Sequence, residues 1–150
     1  MNEAEILNSK ILIVDDAEAN LKLLEDLLAK EGFTQVVSTA DSTRALDLFN
    51  AFEPDLVLLD LMMPELDGYA LLEMLSRHIA KDEYLPVLVI TADATIAAKR
   101  KALALGARDF LNKPFDTIEA MLRVWNLLET RVLYLRLKRL SEGIQPAPPA

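Results

Sequence analysis

The chain alternates short apolar runs with longer stretches of helical periodicity. Lys10-Ile11-Leu12-Ile13-Val14 stops abruptly at Asp15-Asp16, and Leu56-Val57-Leu58-Leu59 stops at Asp60. Val87-Leu88-Val89-Ile90 runs into Thr91, Arg108–Asn112 leads into Lys113-Pro114-Phe115, and Thr34–Ser38 is a further short run. Consecutive branched apolar residues suit strands buried on both faces, as in a parallel sheet. The intervening segments read as helices. Ala17–Glu31 places Leu21, Leu24, Leu27 and Leu28 on one stripe, and Gly32 is a stop signal. Asp41 or Ser42 caps the next helix, whose apolar positions are Ala45, Leu46, Leu48 and Phe49, and Glu53-Pro54 breaks it. Two more helices are predicted, from Leu66 to about Ala80 with Leu71, Leu72 and Leu75 inward, and from about Ala94 to Leu105, stopping at Gly106. Five βα units in succession predict an α/β fold, a doubly wound five-stranded parallel sheet with helices on both faces.

After Phe115 the helical pattern does not stop. Ile118, Met121, Trp125, Leu128, Val132 and Leu135 alternate at three- and four-residue spacing, the seam of a coiled coil. Leu133, Leu137 and Leu140 form a second stripe. A helix over 116–141 is roughly 39 Å long at 1.5 Å per residue, more than a sheet of five-residue strands covers. The distal half therefore needs another partner, and the seam predicts a parallel homodimer. The expected domain plan is a globular unit over 9–128, a helical coiled-coil extension over 129–142 ended by Gly143, and a Pro/Ala-rich tail or linker over 143–150.

Charge and composition narrow the function. The formal net charge is −8, which argues against direct nucleic-acid binding. The charge is uneven: residues 121–150 hold Arg123, Arg131, Arg136, Lys138 and Arg139 against Glu129 and Glu142. There is no cysteine, so disulfides, thiol nucleophiles and zinc–thiolate sites are excluded. No apolar run approaches the roughly 18 residues needed to span a membrane. The first ten residues, MNEAEILNSK, lack a basic region and are not a secretory signal. A cytoplasmic location is expected. Neither a GxGxxG nor a GxxxxGK[ST] loop is present.

Chemistry gathers at the strand ends. In a parallel sheet Asp15-Asp16, Asp60, Thr91 and Lys113 all lie at one edge, where open α/β sheets bind ligands. Taken alone, Asp15-Asp16 reads as a helix cap, and Lys113-Pro114 as a loop. Together the carboxylates repel by about 4 kcal/mol per pair at 4 Å and an effective dielectric near 20. Such a cluster needs a cation, and oxygen ligands favour Mg²⁺ or Ca²⁺, with few protein ligands suiting Mg²⁺. Lys113 adds a charge for an anion and Thr91 a hydroxyl donor, which completes the parts of a phosphoryl-transfer site. With no Cys and no Ser–His pair, the nucleophile is a carboxylate, and Asp60 stands alone on its strand end. His78, among Arg77, Lys81 and Asp82, reads as a surface residue.

ILIVDD, LVLLDLMMPELDG, VLVITA and DFLNKPF, in this order and spacing, resemble the receiver domain of bacterial two-component response regulators. The resemblance covers residues of about 9–128. It implies a flavodoxin-like fold with strand order 2-1-3-4-5, and Asp60 as acceptor of a phosphoryl group from a histidine kinase or phosphotransfer protein. It implies Mg²⁺ held by Asp16 directly, by Asp15 mainly through water, by Asp60, and by the Met62 backbone carbonyl. Lys113 would pair with phosphoryl oxygens, and its bond to Pro114 would be cis. Thr91 would bond the phosphoryl group, and Phe110 would swing inward with it as part of the switch. Position 110 carries no hydroxyl, unlike a tyrosine. Such a protein is a regulatory phosphoacceptor, not a turnover enzyme. An aspartyl-phosphate phosphatase of the haloacid dehalogenase type needs an acid two residues after the nucleophile, where this chain has Met62. An adaptor that had lost its chemistry would lack an acid or the lysine, and all are present. The segment RVWNLLETRVLYLRLKRL is also similar to the helical linkers that join receivers to HD-GYP or GGDEF enzymes. The alternative expectation is thus a receiver with an effector domain beyond residue 150.

Overall fold

The computed structural model describes residues 3–63 and 67–144. A short helix α1 (Glu3–Leu7) precedes β1 (Lys10–Val14), α2 (Glu18–Glu31) and β2 (Gln35–Thr39). A 3₁₀ turn over Ser42–Arg44 leads into α3 (Ala45–Phe52) and β3 (Leu56–Leu59). Then come α4 (Gly68–Arg77), β4 (Val87–Thr91), α5 (Ile96–Ala104), β5 (Asp109–Asn112) and α6 (Thr117–Ile144). The five strands are parallel in the order β2-β1-β3-β4-β5. The expected fold and order are both present.

Strand alternation divides the core in two. Ile11, Ile13, Leu56, Leu58, Leu88, Ile90 and Leu111 face one side, against Leu21, Leu24 and Leu28 of α2 and Val124 and Leu128 of α6. Leu12, Val14, Val57, Leu59, Val87, Val89 and Phe110 face the other, against Phe49 of α3, Leu71, Leu72 and Leu75 of α4 and Ala102 of α5. Both strand faces are apolar because both are covered, the arrangement a parallel sheet requires.

The predicted cap falls on Asp41, whose carboxylate accepts from the Thr43 N–H at 3.0 Å and starts the 3₁₀ turn rather than an α-helix. The helices expected from Leu66 and Ala94 are shorter here, Gly68–Arg77 and Ile96–Ala104. Leu66 lies outside the described residues.

Helix α1 has no counterpart in the sequence reading. Its Ile6 is buried in the α2/α6 side of the core, and Glu5 grips Arg136 of α6 through Nε at 3.1 Å and Nη2 at 2.5 Å. A helix of five residues is not stable by itself, so packing against α6 holds it.

Two expectations about α6 are corrected. Gly143 does not end the helix, which continues to Ile144; a helical glycine costs about 1 kcal/mol but breaks no hydrogen-bond ladder. The tail over 145–150 lies outside the described residues. The predicted dimer seam is also divided. Leu128 and Val132 are buried in the chain's own core, Trp125 packs edge-on against Phe33, and Met121 and Leu135 are half-buried. Of that seam only Ile118 is well exposed. The second stripe, Leu133, Leu137 and Leu140, faces solvent instead, together with Leu122.

The midpoint of α6 is fixed to the sheet by Arg131. Its side chain is 8% exposed and reaches Asp55 at 3.1 Å, Glu83 at 3.4 Å and the Tyr84 carbonyl at 3.0 Å. Asp55 also accepts from the Lys10 backbone N–H at 2.9 Å. One carboxylate just ahead of β3 thus ties β1, β3 and α6 together, at the sheet edge opposite Asp60.

Candidate functional site

The sheet places the candidate residues by register. Val14 lies opposite Leu59, and Thr91 opposite Asn112. Backbone pairing continues past the strand ends: Asp15 N–H donates to the Thr39 carbonyl, Asp60 N–H to Val14, and Lys113 N–H to Thr91. Asp15, Asp60 and Lys113 are therefore held by sheet hydrogen bonds although each stands one residue beyond its strand. They meet at the point where the strand order reverses around β1, the crevice that open α/β sheets use for ligands.

Lys113 Nζ lies 2.8 Å from Asp15 Oδ2 and 3.4 Å from Asp60 Oδ2. Asp15 and Asp60 are nearly buried, and Asp16 is exposed. Each carboxylate also closes a tight loop. Asp15 Oδ1 accepts from the Ala17 N–H at 2.9 Å, and Asp60 Oδ1 from the Met62 N–H at 3.1 Å. Gly68 closes the loop after β3 by donating to the Leu61 carbonyl at 3.2 Å, and a Cβ there would collide with the Leu61 backbone.

Asp15, Asp16 and Asp60 offer oxygens within 4.8 Å of one another. All three are hard ligands with no nitrogen or sulfur among them, a donor set that fits Mg²⁺. Burial pushes the Asp60 carboxyl above the ordinary carboxylate range, and the neighbouring Asp15 charge adds to it. The Met62 N–H and Lys113 work against that rise. The site thus stores a charge imbalance that a cation relieves.

Thr91 is fully buried at the end of β4, and its hydroxyl accepts from the Asp93 N–H at 3.4 Å. Phe110 stands inward, 6% exposed, among the residues of the α3–α5 side. The Lys113–Pro114 bond is cis, as the resemblance implied. Met62 is 59% exposed at the mouth of the site. One contributor was missed in the sequence: Asn112 donates from Nδ2 to the Asp93 carbonyl at 3.0 Å, tying the loop after β4 to β5. Its place beside Lys113 in DFLNKPF was visible, but its partner is 19 residues away.

Comparison with known proteins agrees with this geometry. The model of the response regulator receiver domain matches residues 11–124. The "Probable transcriptional regulator ycf27" of Cyanophora paradoxa is 40% identical over 124 residues, covering 83% of this chain and 50% of that protein. The chain spans about half the length of the curated relatives it matches first. Among solved structures, the Francisella response regulator 1452 receiver domain is 31% identical with a TM-score of 0.69, covering 82% of this chain and 98% of that one. A "probable two-component system response regulator/GGDEF domain protein" is likewise 31% identical with a TM-score of 0.76, covering 83% of this chain and 51% of that one.

Proposed function

Because the chain belongs to the response regulator receiver family, we propose that Asp60 accepts a phosphoryl group from the phosphohistidine of a sensor histidine kinase or phosphotransfer protein. The observation that carries this reading is the Lys113 ammonium bridging Asp15 and Asp60 at the reversal of strand order. A carboxylate oxygen of Asp60 attacks phosphorus, a P–O bond forms, and the P–N bond to the donor imidazole breaks. The departing nitrogen keeps the bonding pair and takes a proton. Lys113 then turns from the Asp60 carboxylate to an oxygen of the new phosphoryl group, and Thr91 donates its hydroxyl to another. Asp15, Asp16, Asp60 and the Met62 carbonyl would hold Mg²⁺, which when bound neutralises phosphoryl oxygens as they approach the acids.

Phosphorylation replaces one carboxylate with a larger anion bearing three acceptor oxygens. Satisfying them draws the loops after β4 and β5 inward, and Phe110 and α6 carry the change outward. The role is regulatory rather than that of a turnover enzyme, in the cytoplasm. Among the described residues no helix is long and apolar enough to cross a membrane. Output runs through α6, by self-association of its exposed face.

The test is labelling by acetyl phosphate or phosphoramidate with Mg²⁺. The wild-type chain gains one phosphoryl group and Asp60→Asn gains none. Equal labelling of Asp60→Asn would overturn the assignment. A second reading, in which this receiver controls a GGDEF or HD-GYP effector beyond residue 150, draws on the neighbouring structure that joins a response regulator to a GGDEF domain.

A further inference from the structure

The solvent face of α6 has a symmetry of its own. Ile118, Leu122, Glu129, Leu133, Leu137 and Leu140 fall within about 100° of arc on a helix of 3.6 residues per turn. Ile118 and Leu140 stand eleven residues to either side of Glu129. Leu122 and Leu137 stand seven and eight residues away from it. Both ends of the stripe are thus apolar, and both are exposed. The charges beside the two ends are opposite. Ile118, Met121, Leu122 and Trp125 line a groove of about 420 Å³ with Leu7, and Glu3 and Glu31 stand at its rim. The other end carries the exposed bases Lys138 and Arg139 beside Leu137 and Leu140. Arg136 is already taken by Glu5, and Arg123 by Asp109 and Glu119.

We infer that the groove is filled by the distal α6 of a second copy of this chain, with the two helices antiparallel. This rests on the self-association proposed above and fixes its geometry. A two-fold contact puts the same surface on both partners, so the surface must complement itself. In a parallel pair each acidic groove meets its own copy, and each basic end does the same. In an antiparallel pair Leu137 and Leu140 of one copy enter the groove of the other at Leu122 and Ile118. Arg139 lies on the groove flank of the helix, and antiparallel packing brings it to Glu3 and Glu31 of the other copy. Like charges across an interface select against an arrangement, and opposite charges favour it. Glu129 falls near the axis and meets its copy there. A parallel pair would bring Glu129 to its copy as well, so this contact does not decide between the two orientations.

Cysteine cross-linking of the full chain decides the orientation, since the sequence contains no cysteine of its own. Leu122→Cys and Leu137→Cys change exposed positions and leave the core intact. An equimolar mixture of the two variants should form a disulfide-linked dimer under air oxidation, while each variant alone stays unlinked. Glu31→Arg should weaken the dimer about tenfold in sedimentation, and adding Arg139→Glu in the same chain should restore it to within about threefold. Self-linking of each single variant means parallel helices and overturns the inference. So does a wild-type chain that sediments only as monomer at tens of micromolar. Labelling of Asp60 is measured separately, so a phosphorylated but monomeric protein sinks this contact and leaves the receiver function standing.

Discussion

The Asp60 carboxylate has lost most of its water and lies 3.4 Å from a lysine shared with Asp15. Burial raises its pKa in the folded protein above the ordinary 3.8. Over the interval between those two values the folded state holds a proton that the unfolded chain has released. The contribution of this group to stability therefore falls as pH rises from about 3.8 through the folded value, and stays lowered at neutral pH. Asp60→Asn removes the buried charge. Without divalent ions at pH 7 it should be more stable than wild type and melt at a higher temperature. The gain should vanish near pH 4. Thermal melts of both proteins across that range check the sign. A destabilised Asp60→Asn at pH 7 would mean that Lys113, not burial, governs the site.

At the scale of elements, Arg131 does more than an exposed pair. Glu73–Arg77 on α4 is largely exposed, with side chains 48% and 73% accessible, and such pairs contribute little. Arg131 is nearly buried between Asp55, Glu83 and a carbonyl. Arg131→Ala takes the guanidinium from two acids and a carbonyl and should cost about 2–3 kcal/mol in denaturant unfolding, at or below the bottom of the roughly 3–5 kcal/mol for broken buried pairs, because Asp55 keeps the Lys10 N–H and both acids keep some solvent. Arg131→Lys should recover only part of it, since one ammonium cannot replace a planar fork. This latch was not legible in the sequence, because Asp55 and Arg131 are 76 residues apart. The strands were legible, since each apolar run ends on a polar residue that the register brings to one edge. The dimer seam was misread because a coiled-coil repeat and a core-facing stripe differ by only about 20° per heptad. Fewer than five turns of spacing do not say whether Leu128 faces another chain or its own sheet. Helix α1 was invisible because EAEIL is too short to show a period.

For the whole molecule, the carboxylate cluster predicts a cation-dependent stability. At a hundredfold excess over its Kd, Mg²⁺ should stabilise the protein by about 2.7 kcal/mol, an increase of several degrees in melting temperature. Asp16→Asn, which changes an exposed carboxylate of the cluster without touching the Lys113 contacts, should lose most of that response while its melting temperature without the ion stays close to wild type. An unchanged Mg²⁺ response in Asp16→Asn would remove Asp16 from the ligand set.

Strand β3 has a mechanical consequence. Its four residues, Leu56–Leu59, are almost wholly enclosed, and they span roughly 13 Å at 3.3 Å per residue. Asp60 follows its last residue, and Asp55, the anchor of Arg131, precedes its first. A one-residue slip in register would turn every one of its side chains to the opposite face, so the pairing with β1 and β4 holds the strand in place. A charge added at Asp60 would sit at one end of this strand, and the other end, through Asp55, holds Arg131 at the middle of α6. A tilt of α6 about Arg131 would be magnified over the two further turns that carry Leu137 and Leu140.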